Sequence, residues 1–233
     1  MTSRLRFPVP PPVIHSRVTG EEYSDETYRD QCVQLADGLD RHLSAHALRM
    51  EQFHSVLDFG CGCGRVLVNY AHLPGIAFYG TDIDEVSIGW CREHIPGMEF
   101  SVNGAMPPLP WPNGQFDLVM AISVFTHIPW KMQIDWLIEL RRVLAPGGYL
   151  IATTHGDFYA DTYLGKEALS AYKTNGYCYL RVPTDPPIFP DWYQATFVNA
   201  DYVHRVFGRL FEHVLHFPRG FCDRQDAVIM RRD

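Results

Sequence analysis

The chain has no run of lysine or arginine, no long apolar stretch and no cysteine framework, and each absence removes a class of function. Its 233 residues carry 20 basic and 27 acidic side chains, a net charge of −7. Without a basic cluster to neutralise several phosphates, nucleic acid is not expected as a partner; a mildly acidic surface reads as solubility. No apolar run approaches the ~20 residues that a bilayer needs, so no membrane span is expected. Pro8, Pro10, Pro11 and Pro12 interrupt the start of the chain and break any secretory apolar region. The six cysteines (Cys32, Cys61, Cys63, Cys91, Cys178 and Cys222) have no disulfide spacing, and Cys61 and Cys63 lack a downstream His/Cys pair that would complete a zinc site. The expectation is a reduced, cytoplasmic protein without a metal. Hydrophobic content of 46% and charged content of 20% are ordinary for a globular chain. The length suits one domain over residues 1–233, with an N-terminal arm and helix at 1–50 and an insertion at 156–195.

What is present is concentrated in Val56-Leu57-Asp58-Phe59-Gly60-Cys61-Gly62-Cys63-Gly64-Arg65. An apolar strand ends there in a glycine turn, and a helix is expected to follow. Twenty residues after Gly62, a second strand delivers Asp82. Glycines at a strand-to-helix turn let backbone approach a ligand closely, and a carboxylate at the next strand tip is placed to accept from two ribose hydroxyls. The pair reads as a site for an adenosine-containing cofactor. A dinucleotide fingerprint needs glycine at position 65. Arg65 stands there, and the spacing is G-x-G-x-G with Asp58 two places before the first glycine.

That spacing resembles the class I S-adenosylmethionine-dependent methyltransferases, and the likeness covers about residues 54–154. Gly80-Thr81-Asp82-Ile83 is similar to the family's ribose-binding strand end. Leu109 to Val119 is similar to its approach to strand four, and Leu137 to Gly148 to its L-x-E-x-x-R-V-L-x-P-G-G helix and turn. The resemblance implies S-adenosyl-L-methionine as cofactor. It also implies an α/β fold: a doubly wound, Rossmann-like, seven-stranded, mostly parallel sheet with a C-terminal antiparallel hairpin. The insertion at 156–195 would be an aromatic-rich cap.

Periodicity supplies the elements. Residues 1–24 read as an extended, proline-rich arm. Ser24 caps a helix that runs to about Leu48 and buries Tyr28, Val33, Leu35, Leu39 and Leu43. Strands near 55–59, 76–81, 98–102, 116–122 and 148–154 alternate with helices near 65–72, 85–94 and 131–144, which predicts right-handed βαβ units. The 131–144 helix buries Met132, Trp136, Leu140, Val143 and Leu144, with Gly147 as its C-terminal cap. Residues 156–195 hold six tyrosines, Trp192 and four prolines without clear periodicity. A helix near 200–208 is capped by Asn199, and a hairpin pairs 211–217 with 225–231, turning at Pro218-Arg219-Gly220.

In open α/β sheets ligands bind beyond the carboxyl ends of the strands, where Asp58, Asp82, Asn103, Ser123, His127 and His155 fall. The resemblance implies that Gly60, Cys61, Gly62 and Gly64 shape the turn around the methionine part, while Asp58 orients its ammonium. It also implies that Asp82 holds the ribose and Ile83 packs on the adenine. Asp82 has a second reading, as the N-cap of the helix near 85. Many family members place an aspartate after strand three, whereas this chain has Val102-Asn103-Gly104. Asn103 either reads the adenine amino group or serves as a turn residue.

Methyl transfer from a sulfonium mainly needs alignment, plus a base if the acceptor is a hydroxyl. Among eleven histidines, His127 and His155 are the best-placed bases; each has the alternative of a structural hydrogen bond. The tyrosine-rich stretch is either a lid over an organic acceptor or a surface excursion that buries its own rings. The expected activity is methylation of a small organic molecule, most simply at a sugar or natural-product hydroxyl. A protein or peptide acceptor and a non-catalytic cofactor-binding partner are the alternatives.

Overall fold

The computed structural model describes residues 7–181 and 190–233. Seven strands form a mostly parallel sheet in the order β3-β2-β1-β4-β5-β9-β8. They are β1 Ser55–Phe59, β2 Ala77–Asp82, β3 Glu99–Val102, β4 Phe116–Ala121, β5 Leu144–Thr154, β8 His213–Phe221 and β9 Gln225–Arg231. β1–β2, β2–β3 and β4–β5 pair in parallel, whereas β9 runs antiparallel to both β5 and β8. The expected fold class is the one observed. The chain divides into two compact units, Met1–Asn103 and Gly104–Asp233.

In the first unit, α2 (Asp25–Ala45) starts where expected, because the Ser24 side chain accepts from the Thr27 N–H at 3.2 Å. Its buried face is Tyr28, Cys32, Ala36, Leu39 and Leu43, whereas Val33 is exposed at 36%. α3 (Glu85–His94) is capped by Asp84. Two expectations are corrected here. The arm contains a helix, α1 (Pro12–Thr19), ended by Gly20 in the left-handed conformation (φ 77°). Proline at the first helical position needs no hydrogen-bond partner for a missing N–H and has the right φ, so the prolines start this helix. The helix expected at 65–72 is a short 3-10 turn, Leu67–Tyr70. The Asn69 amide donates to the Arg65, Val66 and Cys32 carbonyls and so competes with the backbone ladder.

In the second unit, α4 (Trp130–Val143) buries Met132, Trp136, Leu140 and Val143 as expected, and Leu144 is buried just beyond it. Gly147 is not its cap. β5 begins at Leu144, and Gly147 (φ 82°) sits within that strand, its N–H donating to the Arg232 carbonyl. The tyrosine-rich stretch is largely regular, again a correction, although its residues 182–189 lie outside the described ones. It forms α5 (Asp157–Tyr163), α6 (Lys166–Asn175) and β6 (Tyr177–Leu180), which pairs with β7 (Ala195–Val198). Ala160, Leu164, Ala168 and Tyr172 recur every fourth residue and share one cluster with Phe197, a helical period that the Gly165 break conceals. α7 (Ala200–Val206) is capped by the Asn199 side chain. The β8–β9 turn falls at Cys222 and Asp223, both left-handed (φ 51° and 56°), rather than at Pro218 to Gly220. Pro218 is accommodated because β8 is the sheet's edge. Among the described residues no helix is long and apolar enough to cross a membrane.

Candidate functional site

The first unit carries the glycine turn. Gly60, Gly62 and Gly64 have φ of 78°, 52° and 72°, left-handed values that an L side chain rarely adopts. The Gly60 and Cys61 N–H groups both donate to the Thr81 carbonyl, pinning the turn to β2. Asp82 fixes the turn's other end. One of its carboxylate oxygens accepts the Gly62 N–H at 2.8 Å, and the other accepts the Asp84 N–H at 2.9 Å. Asp82 is therefore not the helix cap; Asp84 is. Burial raises the Asp82 carboxyl against these two backbone bonds.

Asp58 is 2% exposed, and its Oδ2 has no hydrogen-bond partner. Burial, reinforced by the Asp82 charge and opposed by Arg65, pushes its pKa up to about 7. A buried carboxyl oxygen left unpaired beside a glycine turn suits a primary ammonium, and the amino-acid end of S-adenosylmethionine supplies one. Burial holds the Cys61 thiol well above its ordinary range, consistent with a small packing group. Asn103 is buried, and its Oδ1 accepts the Thr81 hydroxyl at 2.9 Å. Ile83 is half-buried.

The second unit carries both histidines. His127 follows β4 and His155 follows β5; their ring centroids are 6.0 Å apart, edge to face. Each imidazole stacks on a tyrosine: His127 on Tyr193 at 4.3 Å and His155 on Tyr159 at 4.2 Å. Trp192 beyond Tyr193 and Tyr163 beyond Tyr159 extend this to six rings. Burial lowers His127 to about 4 against a backbone hydrogen bond to Gln194. Burial, then His127, lowers His155 to about 3 against a backbone bond to Thr196. Both rings are neutral at pH 7. The His155 Nδ1 is buried without a partner, as are the Thr126 and Thr154 hydroxyls. With Nε2 donating to the Thr196 backbone, that Nδ1 presents a lone pair.

β5 leads into His155-Gly156, and Gly156 is fixed from below. A Cβ at Gly156 would lie 1.8 Å from the Asp226 carboxylate, which is itself held by His216 Nε2 and the Arg219 N–H, each at 2.8 Å. Ser123 is left-handed (φ 60°); its N–H donates to Thr153 and its hydroxyl to Gln225. That places Ser123 in the unit's internal bonding. Gly104 begins the second unit, close to the Met106 carbonyl. Sequence reasoning missed Arg17, whose guanidinium makes two bonds to Asp84 at 2.7 and 2.8 Å. Burial alone would raise the Asp84 carboxyl, but Arg17 and Ser87 hold it low. The Pro12 and Gly20 helix signals were the clue to Arg17's position.

Residues 56–148 match the family described as methyltransferase domain. A fatty-acid O-methyltransferase of Mycolicibacterium smegmatis is 37% identical over 101 residues, 42% of this chain and 36% of that protein. A sterol 24-C-methyltransferase of Gibberella zeae is 31% identical over 112 residues, 46% of this chain and 29% of that protein. The chain thus spans about a third of the length of these curated relatives. In fold, it is similar to a SAM-dependent methyltransferase of Methanosarcina mazei, with a TM-score of 0.58 and 22% identity over 81% of this chain and 96% of the other. Residues 56–148 are thus similar to the methyltransferase domain, and the chain shares its fold with a SAM-dependent methyltransferase.

Proposed function

We propose that the chain transfers the methyl group of S-adenosylmethionine to a hydroxyl of a small, largely apolar organic molecule. The cofactor supplies the methyl on a sulfonium, a good leaving group. The first unit's residues bind and orient: Asp58 takes the ammonium, Asp82 the ribose, and the turn at Gly60, Cys61, Gly62 and Gly64 the methionine part. Ile83 packs on the adenine. Asn103, already accepting from Thr81, supports the strand end on which Gly104 follows.

The observation that carries the reading is the His155 Nδ1: buried, unpartnered and edge-on to a second neutral imidazole. His155 accepts the hydroxyl proton, and His127 braces it. The tyrosines and Trp192 on either side offer apolar walls that exclude water. Relatives that act on a fatty acid and on a sterol support an apolar acceptor.

Magnitudes narrow the hydroxyl. Moving a proton fully from a phenol of pKa about 10 to an imidazole of about 3 is uphill by roughly seven units, on the order of 10 kcal/mol. An aliphatic alcohol is worse. The base therefore acts only as the new O–C bond forms, and an acidic natural-product hydroxyl is favoured over a sugar hydroxyl. The test is release of S-adenosylhomocysteine with a panel of phenols, sugars, sterols and peptides. Turnover with peptides alone, or with none of the panel, overturns the proposal.

A further inference from the structure

α1 lies on the cofactor turn, and four observations join it there. The Val18 methyls sit 2.8 Å from where a Gly62 Cβ would be. The Cys63 thiol donates to the Ile14 carbonyl. Arg17 grips Asp84 through two bonds, and the Asp84 N–H in turn donates to Asp82. Gly62, Asp82, Asp84 and Arg17 thus form one bonded chain from the turn into the helix. The fourth observation is His15. It is 0% exposed, lies 5.2 Å from the Tyr28 ring and 6.2 Å from Tyr23, and neither of its ring nitrogens has a hydrogen-bond partner. Buried polar groups are normally satisfied, so two unsatisfied nitrogens on a helix seated against a cofactor turn point to a ligand group.

We propose that α1 is a clasp on the cofactor's amino-acid end, in which His15 donates a hydrogen bond to the methionine carboxylate and the Arg17–Asp84 pair holds the helix closed. The carboxylate is the fitting partner. Asp58 already matches the ammonium, and an imidazole N–H matches an anionic oxygen. The inference rests on the turn holding the methionine part.

The test compares S-adenosylhomocysteine with 5′-methylthioadenosine, which has the same nucleoside and no amino-acid end. By calorimetry on the full chain, His15→Phe keeps the ring packing and weakens S-adenosylhomocysteine roughly tenfold. Its affinity for 5′-methylthioadenosine stays unchanged, and His15→Gln restores most of the loss. Equal affinity for S-adenosylhomocysteine in His15→Phe, or equal weakening of both ligands, overturns the proposal. Hydrogen exchange on the unaltered chain gives a reading independent of any variant's folding. Amides of residues 13–19 exchange more slowly with S-adenosylhomocysteine than with 5′-methylthioadenosine, and equal protection by the two overturns the clasp. Asp58→Asn separates the two readings. If it too leaves S-adenosylhomocysteine affinity intact, the turn assignment fails and the clasp with it. If it weakens binding while His15→Phe does not, α1 alone is misassigned.

Discussion

The unit that carries the glycine turn and the unit that carries the two histidines bury titratable groups in opposite ways. Asp58 is a buried acid with its pKa raised to about 7, whereas His127 and His155 are buried bases lowered to about 4 and 3. For Asp58 the folded value exceeds the unfolded one, so its contribution to stability falls as pH rises from about 4 to 7. For the histidines the folded values lie below the unfolded 6.5, so their contribution is complete above pH 6.5 and is lost as pH falls towards 4. Above pH 7 the first unit thus holds a buried charge with one oxygen unpartnered, whereas the second is at rest while neutral. The contrast fits a cationic amino-acid group in one and an uncharged organic acceptor in the other.

The largest expected effect would break the first half of that contrast. Asp58→Asn should make the ligand-free protein more stable at pH 8 by on the order of 4 kcal/mol, from roughly three pKa units. The gain should vanish by pH 4, and cofactor affinity should fall at the same time. Melting curves across pH check it, and a variant no more stable than the unaltered chain at pH 8 removes the strained carboxylate. Next is Asp82→Ala. Loss of ribose contacts and of the Gly62 and Asp84 N–H bonds should weaken S-adenosylhomocysteine by about 2–4 kcal/mol; unchanged calorimetric affinity would refute the ribose assignment.

His155→Ala probes the other unit. Turnover should drop about 10²-fold, the low end for a general base because this imidazole is weak, with cofactor affinity nearly intact. At saturating cofactor, where the ammonium holds Asp58 ionised, the rate of the unaltered enzyme should not fall on acidification from pH 8 to 5, since both imidazoles stay neutral there. A rate that halves near pH 6.5 would mean an ordinary, solvated histidine instead. Smallest is Asn103→Ala, about 1 kcal/mol of cofactor affinity through the lost Thr81 bond. A change of several kcal/mol would return Asn103 to direct adenine recognition.

These two units also differed in how legible they were. Gly60, Gly62 and Gly64 could be read because left-handed backbone leaves few other choices, and Asp82 because a strand tip is a fixed address. α1 was hidden by its own prolines: the residues that forbid a helix interior favour a helix start. α5 and α6 are hidden by the break at Gly165, which interrupts the four-residue spacing of Ala160, Leu164, Ala168 and Tyr172. The β8–β9 turn is not legible in composition, because Pro218 and Gly220 lie within β8 while Cys222 and Asp223 adopt left-handed backbone without glycine. That the Asp58 Oδ2 and the His155 Nδ1 are buried without partners depends on tertiary packing, which spacing along the chain does not encode.

Gly156 has a consequence for how this chain diversifies. With the Asp226 carboxylate against its α-carbon, no side chain can be added at position 156 without dislodging the Asp226–His216 pair. The backbone that delivers His155 is therefore closed to gradual change, whereas Tyr163 (63% exposed) and Phe158 (39%) on α5 stand open. A lineage exploring new acceptors, or a laboratory library built for the same purpose, gains variation on that helix and loses folded protein at the glycine.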